Sequence, residues 1–243
     1  MEAYGRDLAH VHDAGFGDFA RGSARGLLRL LRRAGIQEGL VVDLGCGSGI
    51  WAAALLDAGY DVLGIDQSEA LLEIARQRVP CALFTHGSLF DAELPPCAAV
   101  TAIGECVSYM VDSRAGRTAL VALMRRVAAA LQPGGLFVFD IVIPGREPAG
   151  GRRTWSEGAD WLLCLHAHED PDRRMLTREI TIFRQLGDGY RRSDETHRLW
   201  LYSRADAVAD LEAAGLQPRI LSGYGQRVRF RRGHVGFAAF KPR

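Results

Sequence analysis

The sequence has one lysine, Lys241, among 30 basic residues. Nearly every cation is therefore an arginine, a usage that hints at a GC-rich bacterial genome and decides nothing about chemistry. Paired cysteines are missing too. The five present, at 46, 81, 97, 106 and 164, are odd in number and form no C-x-x-C, so neither a disulfide framework nor a zinc site is indicated and a reducing cytoplasm fits best. There is no apolar run long enough to span a bilayer. Nor is there an excess of one charge: a formal net charge of +1 offers no global field for nucleic acid. What remains is 243 residues, 48% of them hydrophobic, enough for one domain that carries a sizeable core and an insertion.

Against this background one segment stands out. Val41-Val42-Asp43-Leu44-Gly45-Cys46-Gly47-Ser48-Gly49-Ile50 is an apolar run that breaks into three alternate glycines. It reads as a strand, a tight turn and a helix start, with the backbone free to approach a ligand and helix N–H groups aimed at an anion. A carboxylate able to grip a ribose is expected about 20 residues further on, and Asp66 closes the next apolar run there. Asp43 bears on which nucleoside is bound. A pyrophosphate at the turn would be repelled by it, whereas S-adenosylmethionine brings a sulfonium and an ammonium beside its own carboxylate. The alternative is that Asp43 only satisfies turn N–H groups.

Apolar runs alternate with helical periods in the manner of a parallel sheet covered on both faces. Strands are expected at 40–44, 61–65, 81–85, 98–103 and 135–141, with helices at 20–34, 50–58, 68–78 and 115–131. The first of these helices is rich in arginine, but Asp7, Asp13 and Asp18 precede it, which argues against a transit peptide. Ser203-Arg204-Ala205-Asp206 resembles a capping box opening a helix that Gly215 closes, and strands at 217–223 and 234–240 follow. Between Pro144 and Ser203 helical periodicity disappears. Extended segments there meet at Asp170-Pro171-Asp172-Arg173 and Gly187-Asp188-Gly189, both turn signatures. An insert of antiparallel strands is expected at 146–203, serving as a substrate lid, a dimer surface or a cover for apolar surface.

Four motifs in order resemble the class I S-adenosylmethionine-dependent methyltransferases: Val41 to Trp51, Val62 to Ser68, His86-Gly87-Ser88-Leu89, and Leu131-Gln132-Pro133-Gly134-Gly135 running to Asp140. The resemblance covers roughly residues 40–140. It implies an α/β, Rossmann-like, seven-stranded, mostly parallel sheet with helices on both faces, to which the antiparallel insert is added after the fifth strand. It also implies that Asp43 meets the ammonium of the methionine tail, that Gly45, Cys46, Gly47 and Gly104 let the backbone touch the cofactor, and that Asp66 accepts both ribose hydroxyls. Gln67, Ser88 and Leu89 would border the adenine. Ser88 departs from the commonest pattern, which has an acid there. Asp66 also suits an ordinary helix N-cap.

Residues for the methyl acceptor are less explicit. The segment Ile103-Gly104-Glu105-Cys106-Val107-Ser108-Tyr109 has no Asn/Asp-Pro-Pro-Tyr element, which disfavours methylation of an exocyclic base amine. Glu105 falls near the expected position of the sulfonium methyl, to hold an acceptor, take a proton or bond a neighbouring N–H. His12, in a segment that related enzymes fold over the cofactor, is a candidate base or a surface residue, and His197 on the insert is a similar candidate. His166 and His168 share one strand face, but no carboxylate partner is identifiable, so no metal site is expected. Arg227, Arg229, Arg231 and Arg232, with Arg152 and Arg153, are either a solvated face or a grip for an acidic acceptor. The reading is a cytoplasmic bacterial enzyme transferring methyl from S-adenosylmethionine to O or N of a small molecule, possible as a homodimer through the insert, with no membrane partner. The alternatives are an RNA or protein methyltransferase and an inactive cofactor-binding partner subunit.

Overall fold

A computed structural model describes residues 4–110 and 115–243. The first apolar run forms β1 (Leu40–Leu44), the innermost strand of the parallel part. Parallel to it on one side lie β2 (Asp61–Asp66) and then β3 (Leu83–His86); on the other lie β4 (Cys97–Ala102) and β5 (Leu131–Val142). The two last strands, β10 (Gln217–Leu221) and β11 (His234–Phe240), run antiparallel, β11 against β5 and β10 against β11. The seven strands are those read from the sequence, and they lie in the order β10-β11-β5-β4-β1-β2-β3.

Alternation along the strands splits the core in two. Val42, Leu44, Val100, Phe137 and Phe139 face α5 (Arg117–Ala130) and α6 (Arg204–Ala213). Their neighbours Val41, Leu136 and Val138 face α2 (Asp18–Arg33) and α3 (Ile50–Asp57), where Leu27, Leu31, Trp51 and Leu55 are buried. The arginines of α2 stay in water: Arg25, Arg29, Arg32 and Arg33 are exposed while Leu27 and Leu31 are buried. Helix α4 (Glu69–Arg78) is capped by Ser68, whose hydroxyl accepts from Leu71 N at 3.1 Å. Ser203 caps α6 through Asp206 N at 3.3 Å, as the capping-box reading requires.

The insert is a separate antiparallel sheet of β6 (Arg152–Glu157), β7 (Trp161–Asp170), β8 (Met175–Leu186) and β9 (Gly189–Trp200), with reversals at both turn signatures. Its inner face packs on the main domain through Ala167, Leu176 and Leu199 against Val142. The helix expected over 20–34 is α2, and a further helix not expected from the sequence, α1 (Arg6–Phe16), precedes it. Helix α1 escapes a reading that looks for a sheet-facing stripe because its apolar side chains face the insert. Leu8 and Val11 are buried against Trp161, Leu163, Ile180 and Ile182. None of the described helices is long and apolar enough to cross a membrane.

Candidate active site

The glycine turn after β1 opens onto a cavity at the carboxyl ends of the parallel strands, where open α/β sheets bind ligands. Two glycines show why the sequence folds this way. At Gly45, φ +68°, a Cβ would sit 2.6 Å from Cys106 Sγ. At Gly47, φ +54°, a Cβ would meet nothing within 4 Å, so the absence of a side chain there keeps a cavity wall bare. Asp66 fixes the turn from β2: its two oxygens accept from Gly47 N and Ser68 N, each at 2.8 Å. Burial nevertheless pushes its carboxyl above the usual range, outweighing these donors.

Asp43 also lines the cavity and is 2% exposed. Its carboxylate accepts from Thr101 Oγ1 at 2.7 Å, and that hydroxyl accepts in turn from Trp51 Nε1 at 3.1 Å. Burial pushes Asp43 up to about 7, Thr101 offsets part of this, and the nearby Asp66 charge adds to it. No cation pairs with Asp43 among the described residues. A buried carboxylate of this kind is costly when ionised alone and well matched to an incoming ammonium.

Cys46, Gln67, Ser88, Leu89 and Gly104 line the same cavity. The Ser88 hydroxyl accepts from Phe90 N at 3.1 Å, shaping the loop after β3. The opposite wall is α1 with the start of α2: Tyr4, His12, Phe16, Phe19 and Ala20. This roof is tied on both sides. Ser68 Oγ donates to Tyr4 O at 2.7 Å and Asp13 pairs with Arg78 at 2.9 Å on the domain. On the insert, the Glu195 carboxylate accepts from Tyr4 N and Gly5 N at 2.9 and 3.0 Å, and Asp7 pairs with Arg191.

The three residues that the sequence places at the acceptor part company. His12 lines the cavity, edge-on to Tyr4 at 5.2 Å between ring centroids, with Nδ1 buried and without a hydrogen-bond partner. Burial lowers its pKa, leaving the imidazole neutral at physiological pH. His197 is buried off the cavity. Its Nε2 lies 2.8 Å from Glu195 Oε2, and its ring touches Tyr4 and Tyr109 at 4.9 and 5.6 Å.

Glu105 does not line the cavity either. It follows β4 in the left-handed region, φ +65°, a conformation that costs a non-glycine residue about 1 kcal/mol or more. Asp140, at the end of the fourth motif, holds it there by accepting from Gly104 N at 3.0 Å and Glu105 N at 2.5 Å. Tyr224 and His234 complete the shell of Asp140 at 2.6 and 2.9 Å. The Glu105 side chain turns into an ion-pair cluster, with Arg178 of β8 at 2.7 Å and Arg146 at 3.0 Å. Burial works to raise its pKa, but Arg178, Arg146 and His234 prevail and hold it below the usual range. A carboxylate so held is a weak base. Arg178 also donates to Tyr109 Oη at 3.2 Å, and Tyr109 shares a 2.8 Å hydrogen bond with Tyr4. A polar chain thus runs from the insert to the roof of the cavity.

Tyr4, Thr101, Arg146 and Arg178 were not identifiable from the sequence. Only Thr101 had a local signal, as the one hydroxyl in the apolar run of β4 next to Asp43 in register.

Known proteins resemble this chain in sequence and in fold. A sequence model of a methyltransferase domain matches residues 41–135. The chain is 34% identical over 186 residues, 73% of its length and 68% of the relative, to trans-aconitate 2-methyltransferase of Paracidovorax citrulli (strain AAC00-1). It is 28% identical over 231 residues, 90% of its length and 88% of the relative, to dTDP-3-amino-3,6-dideoxy-alpha-D-glucopyranose N,N-dimethyltransferase of Streptomyces fradiae. The crystal structure of an S-adenosylmethionine-dependent methyltransferase from Clostridium acetobutylicum ATCC 824 matches the fold with a TM-score of 0.81, covering 97% of this chain and 98% of that one at 16% identity.

Proposed function

Because the chain belongs to the class I S-adenosylmethionine-dependent methyltransferases, we propose that its acceptor is an amine on a small molecule, and specifically on a nucleotide-linked amino sugar. The observation that carries this reading is the roof. Tyr4, His12, Phe16 and Phe19 cover the cavity that holds Asp43 and Asp66, leaving access for a side-group-sized acceptor rather than for a folded RNA or protein. The dimethyltransferase relative acts, by its name, on an amino sugar carried by dTDP. Exposed Arg227, Arg229, Arg231 and Arg232 lie on the loop that packs against α2 through Val228, which supports an acidic acceptor held by a diphosphate.

The cavity suits the cofactor. The unpaired Asp43 carboxylate would hold the methionine ammonium, the bare wall at Gly47 would admit the tail, and Asp66 would accept from the ribose diol. S-adenosylmethionine supplies a methyl group on a sulfonium, with a neutral thioether as leaving group. The chain's task is alignment, which supplies much of the barrier reduction in such a displacement. In this proposal His12 is the base: its neutral imidazole takes the proton that an alkylammonium acceptor must lose before its lone pair can attack. A weak base of this kind matches an ammonium better than an alcohol. Glu105 and His197 become positioning residues, fixing Tyr109 and Tyr4. The insert would also join two copies through its exposed apolar side chains, Trp155 (62% exposed) and Tyr190 (70%); a monomer at all concentrations in analytical ultracentrifugation would refute that part.

Radiolabelled methyl donor offered with nucleotide-linked amino sugars, with tricarboxylic acids such as trans-aconitate, and with total RNA should label the amino sugars. Label in the acids would replace the amine by a carboxylate, label in RNA would overturn the argument from the roof, and cofactor binding without turnover on any pool would make the chain an inactive subunit. In the productive pool, His12→Gln should lower kcat by about 10²–10⁴-fold with cofactor affinity kept. An unchanged kcat removes His12 as the base.

A further inference from the structure

The insert carries a second constellation, on the face turned away from the cavity. His166 and His168 lie two apart on β7, so both point to one side, opposite to the buried Ala167 between them. Strand register supplies the carboxylate that the sequence does not reveal: Glu179 of β8 pairs directly with His166, which brings the two side chains together on that face. His166 Nδ1 lies 2.8 Å from Glu179 Oε2, and the two imidazole rings are 5.2 Å apart. One ligand atom from each of the three residues falls within 4.8 Å of the others.

One further observation points to a ligand. His168 Nδ1 is shut off from solvent and has no hydrogen-bond partner, a state that is costly unless something satisfies it. The chain entering β6 crosses the pair at Gly151, where a Cβ would stand 2.7 Å from Ala167 O, 3.1 Å from His168 Cβ and 3.4 Å from His166 Nε2, so only bare backbone passes beside the imidazoles.

We propose that His166, His168 and Glu179 form a binding site for a divalent transition-metal ion, Zn²⁺ in the first instance. Two imidazole nitrogens and one carboxylate oxygen suit zinc, cobalt or nickel rather than magnesium or calcium, which take oxygen donors. Three protein ligands leave a fourth position for water. Metal–ligand bonds of about 2.0–2.2 Å require the three donors to draw together, and the exposed Glu179 carboxylate has the freedom to do so. Arg153, opposite His166 on β6, opposes a cation at this place; it is exposed and can extend into water. The site bridges neighbouring strands and lies on the opposite face of β8 from Arg178, so the ion would clip the insert sheet without touching the reacting groups.

The test uses untagged protein stripped with a chelator and titrated calorimetrically with zinc chloride, with magnesium chloride as the comparison. One Zn²⁺ per chain and no magnesium uptake are expected, together with a rise in melting temperature of several degrees at saturation. His168→Ala and, separately, Glu179→Gln should each weaken zinc binding by at least about tenfold and abolish the rise, while affinity for S-adenosylmethionine stays that of the parent. Cobalt should show the intense visible bands of a four-coordinate ion in the parent alone. Zinc binding equally tight in His168→Ala, or measurable only at millimolar concentration, would overturn the site and leave a plain His166–Glu179 hydrogen bond.

Discussion

Asp43→Asn should weaken binding of S-adenosylmethionine and of S-adenosylhomocysteine by about 100-fold, the worth of a buried charge-assisted hydrogen bond, and yet stabilise the protein without ligand. Both halves follow from one geometry. The Asp43 carboxylate is buried with a single hydroxyl donor, Thr101, and its pKa stands at about 7 against 3.8 for an ordinary aspartate. Between those values the folded state holds a proton that the unfolded chain has lost, so stability falls as pH rises through this window. Asparagine keeps the acceptor for Thr101 and carries no charge. Its advantage should be absent near pH 3, grow through the window, and level off above pH 7 at no more than about 4 kcal/mol. Calorimetry at pH 8 and melting curves of the ligand-free protein from pH 4 to 8 measure both. Unchanged affinity would remove Asp43 from the ammonium site. A lower melting temperature at every pH would mean that the residue only braces the turn.

The second large effect concerns Glu105. Glu105→Gln should cost about 3–5 kcal/mol, because it leaves the guanidinium groups of Arg178 and Arg146 facing one another without the anion between them. For a chain of this size that is a fall of about 10 °C in melting temperature. A double variant, Glu105→Gln with Arg178→Met, should recover a large part of the loss, since one buried cation is then removed with its partner. The competing role, a base that serves the acceptor, makes a different prediction: a fall in kcat with the melting temperature unchanged. The two measurements on one variant separate a strut from a catalyst, and the second pattern would sink the assignment made here.

The contrast between Asp43 and Glu105 shows what the sequence could carry. The places of Asp43, Gly45, Gly47 and Asp66 at the cavity are legible because they are set within two adjacent strands and the turn between, and Asp66 reaches back only 19 residues to Gly47. The insert is legible from its two reversals, and α6 from its cap, for the same reason. Glu105 is visible as a carboxylate at the end of β4, but its partner Arg178 comes from 73 residues away, and no local pattern distinguishes an arginine that will be buried from those left in water. Helix α1 is harder still. Its ties run to Glu195, 191 residues from Tyr4, and to Asp160, 150 residues from His10. The third ligand of the proposed metal site was hidden in the same way, since it is the pairing of β7 with β8 that sets Glu179 beside His166.

Helix α1 and Tyr4 just before it touch the domain through Ser68 and the Asp13–Arg78 pair, and the insert through Leu8, Val11 and the Tyr4–Glu195 hydrogen bond. One helix is therefore tied both to the cavity and to the insert. If the cavity holds the methyl donor as proposed, a displacement of this helix would open the cavity and loosen its packing on the insert together. Any such movement would be passed on through the single residue, Gly17, that separates α1 from α2.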